Sequence, residues 1–172
     1  MVWDGGGFLL QLGVHHIDTF QYLFGSITAV FSVQKRKYTP AQIADNTITG
    51  LEFTAGYLGY IGSSYATYHT YNLSVYMTKG KIYYDDDLGL MVFKNGGCDK
   101  MVCQPGDSVE DSLVKEIEEF TSCIEQGKSP EISIKDGLLV VAVLEAALEA
   151  NRLGKKIYIE ELLHKYGISI LD

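Results

Sequence analysis

Residues 5–25, "GGGFLLQLGVHHIDTFQYLFG", decide how the rest of the chain is read. Leu9, Leu10, Val14, Ile17, Phe20 and Leu23 recur at helical spacing and Gly25 is a natural stop. The stretch from about Gly7 to Phe24 therefore reads as one amphipathic helix. Gln11, His15, Asp18 and Tyr22 fall on a separate polar stripe, with Gln11 and His15 one turn apart. An imidazole titrates near neutrality and can accept or donate a proton, so His15 is the candidate catalytic group, with Gln11 beside it. Gly13 lies between them without a side chain, which would let a flat ligand or another backbone approach. Amides freed by the glycine run could also steady an anion.

Each of these residues also has a plainer role. A lone histidine on an amphipathic helix is commonly an ordinary hydrogen-bonded residue, and His16, nearer the apolar side, is expected to be one. Gly13 would serve tight packing, and Asp18 a hydrogen bond or ion pair. A metal site built on His15 and His16 is not expected, because neighbouring helix positions point about 100° apart.

Beyond this helix, from Ile27 to about Phe93, short runs rich in Val, Ile, Thr, Tyr and Phe alternate with Gly, Asn and Asp clusters. "SITAVFSVQKRKYT", "NTITGLEF", "GYLGYIGSSYATY", "YNLSVYM", "GKIYY" and "LGLMVF" read as strands. Turns at Thr54–Gly56, Thr78–Gly80 and Asp85–Asp87 imply hairpins and a largely antiparallel meander. In "YNLSVYM", Leu73, Val75 and Met77 face one way and Asn72, Ser74 and Tyr76 the other.

Two helices follow. The first carries Ser108 and Asp111 as a capping box, Val109, Leu113, Ile117, Phe120 and Ile124 as its inner stripe, and Gly127 as its stop. The second repeats the device with Ser133, Asp136 and Gly154. Its "LLVVAVL" run is apolar nearly all round and predicts a central buried helix. "KKIYI" reads as a short strand and "EELLHKYG" as a last helical turn, with His164 on the surface. These elements define an α+β chain, expected to form one domain over residues 1–172.

The chain has 172 residues, 47% of them hydrophobic, which suits one domain with a substantial core and leaves apolar surface for an interface. A net charge of −8 argues against nucleic acid, and the short "KRK" run at 35–37 reads as a solvated strand end. Three cysteines (Cys98, Cys103, Cys123) without CxxC spacing do not suggest a disulfide framework or a metal site. No run of eighteen apolar residues suggests a membrane span, and a cytoplasmic setting is expected.

"GKS" at Gly127–Ser129 fails as a phosphate-binding loop, because Ser122 stands where the first glycine belongs and Pro130 follows. "GYLGYIG" lies inside a strand pattern, and no G-x-G-x-x-G run occurs. The chain alone therefore has no recognisable nucleotide site.

The opening stretch resembles the start of the C-terminal domain of the glucose–fructose oxidoreductase, inositol dehydrogenase and rhizopine-catabolism (Gfo/Idh/MocA) family. There a glycine run precedes a helix patterned D-x-G-x-H-x-x-D. Gly13, His15 and Asp18 match it, while Gln11 stands where the family usually has aspartate. "ADNTITGLEFTAGYLGYIGSSY" is similar to the family's acid-led strand pair, and "LSVYMTKGKIYY" to a lysine–glycine turn between its strands. "GKSPEISIKDGLLVVAVLEAALEANRLGKKIYI" is similar to its closing helix and strand.

The resemblance implies a large, open, mostly antiparallel sheet with helices packed on one face. It also implies an NAD- or NADP-dependent oxidoreductase acting on a sugar, polyol or related compound. In the family a separate N-terminal Rossmann half holds the cofactor and supplies a lysine, and the open sheet face commonly mediates homo-oligomerisation. His15 would then transfer a proton or bind a substrate hydroxyl, with Gln11 and Gly13 beside it. An amide at position 11 can hydrogen-bond a hydroxyl but cannot take its proton. Asp18 is read as structural. Since the chain enters this helix almost at once, it is expected to be a fragment, a truncated frame or a domain made on its own. The competing reading is a stand-alone, non-enzymatic domain that dimerises through tyrosine-rich strands or binds a small metabolite. Tyr65 and His69 are only possible contributors, through their place on the sheet.

Overall fold

The computed structural model describes residues 7–68, 70–94, 97–101 and 109–169, with the backbone alone at 8, 98–101 and 109. The glycine-run anion site, the Ser108 cap, Cys103 and His69 lie outside the described residues.

Two compact units form, one from residues 1–67 with 131–172 and the other from 68–130. In the first, α1 (Gly7–Gln11) and α2 (Gly13–Phe24) lead into β1 (Ile27–Lys35), β2 (Asn46–Phe53) and β3 (Leu58–Ser64). In the second, β4 (Asn72–Met77), β5 (Gly80–Asp85), β6 (Gly89–Lys94) and β7 (Gly97–Met101) precede α3 (Val109–Gln126). The chain then returns to the first unit with α4 (Ile134–Leu153), β8 (Ile157–Tyr158) and α5 (Ile159–Lys165).

The α+β class and the antiparallel pairing agree with the sequence. The strands form two four-stranded sheets, ordered β3-β2-β1-β8 and β4-β5-β6-β7. All three expected turns join antiparallel neighbours. β7 adds an edge strand that the sequence pattern did not announce.

One side of the first sheet carries the core. Val30, Leu51, Phe53 and Ile61 point inward against α4, whose Val140, Val143, Leu144, Ala146, Ala147 and Ala150 are buried. Small alanines let this helix sit close to the strands. It is the buried central helix that its composition predicted. Ser133 caps it: its hydroxyl accepts from the Asp136 N–H at 3.3 Å while its own N–H donates to Asp136 Oδ2 at 2.7 Å. Gly154 ends it in the left-handed region, at φ +64°.

Leu9 and Ile17 are fully buried in the same core, and Phe24 meets Phe53 edge-on at 5.9 Å. Farther along β1 and β2 the inward row turns polar. Ser32 and Thr49 share a hydroxyl hydrogen bond of 2.9 Å, and the Gln34 N–H donates to Asn151 of α4 at 2.8 Å. Pairing of this kind is what makes buried hydroxyls tolerable.

In the second unit, Tyr76, Lys81 and Phe93 stand side by side across β4, β5 and β6. The Lys81 ammonium lies 4.6 Å from the Phe93 ring centroid and 5.4 Å from that of Tyr83. Such contacts hold a lysine stem along an apolar sheet surface.

Three expectations are corrected. The opening helix is broken at Leu12 (φ −116°, ψ −26°), where the His15 N–H donates to the Leu12 carbonyl at 3.2 Å in a tighter turn. Leu23, expected on the apolar side, is exposed, and in the last turn of α2 it is Phe24 that packs against the core. On α3, Leu113, Ile117, Phe120 and Ile124 are exposed rather than inward, with Ile117 at 65% and Ile124 at 67%. The period of that helix records an apolar face without naming what covers it.

Candidate substrate-side surface

α1 is held at both ends by one bracket of loop and strand. At its start, Gly7 adopts φ +57° and lies so close to Ala44 that a Cβ would sit 2.0 Å from the Ala44 carbonyl oxygen. Only glycine fits there. At its end, Gln11 Oε1 accepts a hydrogen bond from the Tyr65 hydroxyl.

The bracket is organised by Asp45, which is 1% exposed. Its carboxylate accepts from the backbone N–H groups of Lys37 (3.0 Å), Tyr38 (2.6 Å) and Thr39 (2.7 Å), and from Asn46 Nδ2 (2.6 Å). Burial pushes this carboxyl upward, but the N–H donors of Thr39, Tyr38 and Lys37 and the Asn46 amide outweigh it and bring it down to about 2. The Asp45 carbonyl in turn accepts from the Tyr65 N–H at 2.9 Å. Ser64 beside it donates to Asn46 Oδ1 at 2.8 Å and accepts from the Ala66 N–H at 3.0 Å.

Gln11 and His15 are both exposed on this surface, one turn apart on either side of the Leu12 break. Tyr22 is exposed farther along and Asp18 is partly exposed. His16 is half-buried; burial, then the neighbouring His15, lowers its pKa and keeps it neutral at physiological pH. Gly13 is buried, and a Cβ there would sit 2.7 Å from Leu9 Cδ1. Its missing side chain makes room for Leu9, so it packs the core rather than joining Gln11 and His15. His164 is exposed on α5.

The sequence reading passed over Asp45 as more than the acid that leads a strand, and kept Tyr65 only as a possibility. The signal for Asp45 was an acid standing at the end of a loop just before "NTIT", a common arrangement for a carboxylate that collects backbone N–H groups. The Gln11–Tyr65 contact joins residues fifty-four apart and had no local signal.

Chemically, the surface offers a neutral amide, an imidazole and a phenol, which can bind hydroxyl or carbonyl oxygens and move one proton. Among the described residues no group of three or more His, Cys, Asp or Glu could hold a metal ion. Among the described residues, neighbouring strands are joined mainly by hairpins and no glycine-rich turn leads from a strand into a helix. Among the described residues no helix is long and apolar enough to cross a membrane.

Residues 2–159 match the family described as the oxidoreductase family, C-terminal alpha/beta domain (Gfo/Idh/MocA), and the chain belongs to that family. It is 23% identical over 176 residues to myo-inositol 2-dehydrogenase of Thermotoga maritima, covering 92% of this chain and 51% of that protein. An oxidoreductase of Desulfitobacterium hafniense superposes with a TM-score of 0.80 at 28% identity, over 93% of this chain and 49% of the other. Levoglucosan dehydrogenase in complex with NADH gives a TM-score of 0.77 at 20% identity, over 92% and 53%. The chain thus spans about half the length of the relatives it matches.

Proposed function

We propose that this chain is the substrate-side domain of an NAD(P)-dependent oxidoreductase acting on a sugar, polyol or related hydroxy compound, and that it is not competent alone. The observation that carries the reading is the exposed His15, one turn beyond Gln11, on the opening helices of a chain that matches only the C-terminal half of dehydrogenases. His15 takes the hydroxyl proton as a carbinol is oxidised and returns it on reduction. Gln11, whose Oε1 accepts from the Tyr65 hydroxyl, holds a neighbouring oxygen. The nicotinamide, which would accept the hydride, is carried by a half outside this chain. With glutamine where the family usually has aspartate, His15 works without an acidic partner.

The same reading extends to partners and setting. The outer face of the first sheet exposes Phe31, Val33, Ile48, Leu58 and Tyr60, with Ile48 at 65% and Tyr60 at 73%. A contiguous apolar face of this kind supports pairing of two copies, in the cytoplasm where such cofactors are available.

Calorimetry of the chain with NAD+ and NADP+ is expected to give no binding heat. Joined to a nucleotide-binding half, the chain is expected to reduce the cofactor when a polyol is supplied. Oxidation of a sugar by the chain alone would overturn the proposal.

A further inference from the structure

One face of the second sheet matches itself after a half-turn. The registers of β4, β5 and β6 set three rows across it: Tyr76, Lys81 and Phe93, then Ser74, Tyr83 and Met91, then Asn72, Asp85 and Gly89. Alternate residues of a strand share a face, so the three rows stand together. The Lys81 ammonium meets the rings of Tyr76, Tyr83 and Phe93 there, and the Tyr83 hydroxyl donates to Asp85 Oδ2 at 2.9 Å. Charge is sorted by end. Lys79 and Lys81 stand at the β4–β5 turn, Asp85, Asp86 and Asp87 at the β5–β6 turn, and residues 71–84 hold no acid. Among the described residues Lys81 meets rings and no carboxylate pairs with it. The Asp85 carboxyl lies below its ordinary range, chiefly because the Tyr83 hydroxyl donates to it, so it is ionised at neutral pH.

A second copy turned about an axis over the middle row, across the strands, sets Lys81 against Asp85 and Lys79 against Asp87. The same turn sets Phe93 against Gly89 and Tyr76 against Asn72, and every contact occurs twice. Opposite charges meet, and large side chains meet small ones. The space over Gly89 is open, since a Cβ there would find nothing within 4 Å. Tyr76 is exposed. The parallel arrangement would set Lys81 on Lys81 and Asp85 on Asp85, which like charges oppose. We infer that the β4–β6 face is an interface between two copies of this chain, paired antiparallel about this axis. It lies on a different sheet from the apolar face discussed above, and it does not rest on the role proposed for His15. A patch of this size gives a weak contact, with a dissociation constant on the order of 100 μM.

The test uses the full chain carrying Ile48→Lys and Tyr60→Lys, which removes pairing through the first sheet, and follows association by sedimentation. A reversible dimer is expected, weakened about tenfold or more at about 0.5 M salt, where charge pairs are screened. In the same background, Lys79→Asp sets acid against acid and Asp87→Lys sets lysine against lysine. Each alone is expected to weaken the dimer about tenfold, and an equimolar mixture of the two is expected to restore it, because the mixed dimer again pairs opposite charges. A chain that stays monomeric in this background, or a mixture that associates no better than its components, overturns the inference and leaves the proposed function standing.

Discussion

Asp45 shows how one buried charge can fix a functional surface from beneath. Three backbone N–H groups and the Asn46 amide converge on its carboxylate, and its carbonyl carries Tyr65. Its carboxyl is depressed from 3.8 to about 2, so the ionised form is favoured by the fold. The stabilisation this provides is complete above the unfolded value of 3.8 and is lost as pH falls through about 2. Asp45→Asn is therefore expected to lower stability at neutral pH and to flatten the decline between pH 4 and 2. Urea unfolding measured across that range checks it; an acid limb unchanged by the substitution would contradict it. The same residue scale separates the legible from the hidden. His15 and Gln11 stood out because helical spacing put them on one stripe. Tyr65 was illegible as their neighbour, since its approach depends on how β3 ends and how the 37–45 loop closes.

At the scale of elements, helix termini were read most securely. Ser133 with Asp136 three residues on, and Gly154 past the last apolar turn, are local chemistry, and both caps are present. The Asp136 carboxyl lies below its ordinary range because first the Ser133 hydroxyl, then the Ser133 N–H, donates to it. Ser133→Ala is expected to cost about 1 kcal/mol, the usual value of an N-cap side chain. Part of the cap depends on ionised Asp136, so the cost should shrink in acid. Denaturation of the variant at pH 7 and at pH 3 checks both statements, and an equal cost at the two values would count against the second. Strand pairing was legible where turns are short, as between β4, β5 and β6. The edge strand β7 was not, because "GCDKM" lacks the β-branched and aromatic residues that mark the others. The exposed stripe of α3 makes the complementary point. A period of 3.6 reports that a helix has an apolar side, while its cover depends on contacts between distant elements.

For the whole molecule, the first sheet shields one face with α2, α4 and α5 and leaves Phe31, Val33, Ile48, Leu58 and Tyr60 in solvent. If two copies pair there, sedimentation is expected to show an association that strengthens with concentration, and Ile48→Lys with Tyr60→Lys is expected to remove that pairing. A chain that stays monomeric at every concentration would contradict the pairing. The fold class was within reach of the sequence because strand and helix periods are local. The grouping of the strands into two sheets was not, since strand order depends on pairing between segments and not on local period. Function reaches the same limit: the proposed substrate-side residues sit on these helices and strands, and the chain spans only about half the length of the relatives it matches.

The most direct test joins this chain to a nucleotide-binding half and compares the unaltered protein with His15→Ala for cofactor reduction by a polyhydroxy substrate. Removal of the imidazole is expected to lower kcat by about 100-fold or more, the loss that follows removal of a positioned general base. An unchanged rate in the His15→Ala protein would contradict the account, because the helix would then present no group that takes part in the reaction.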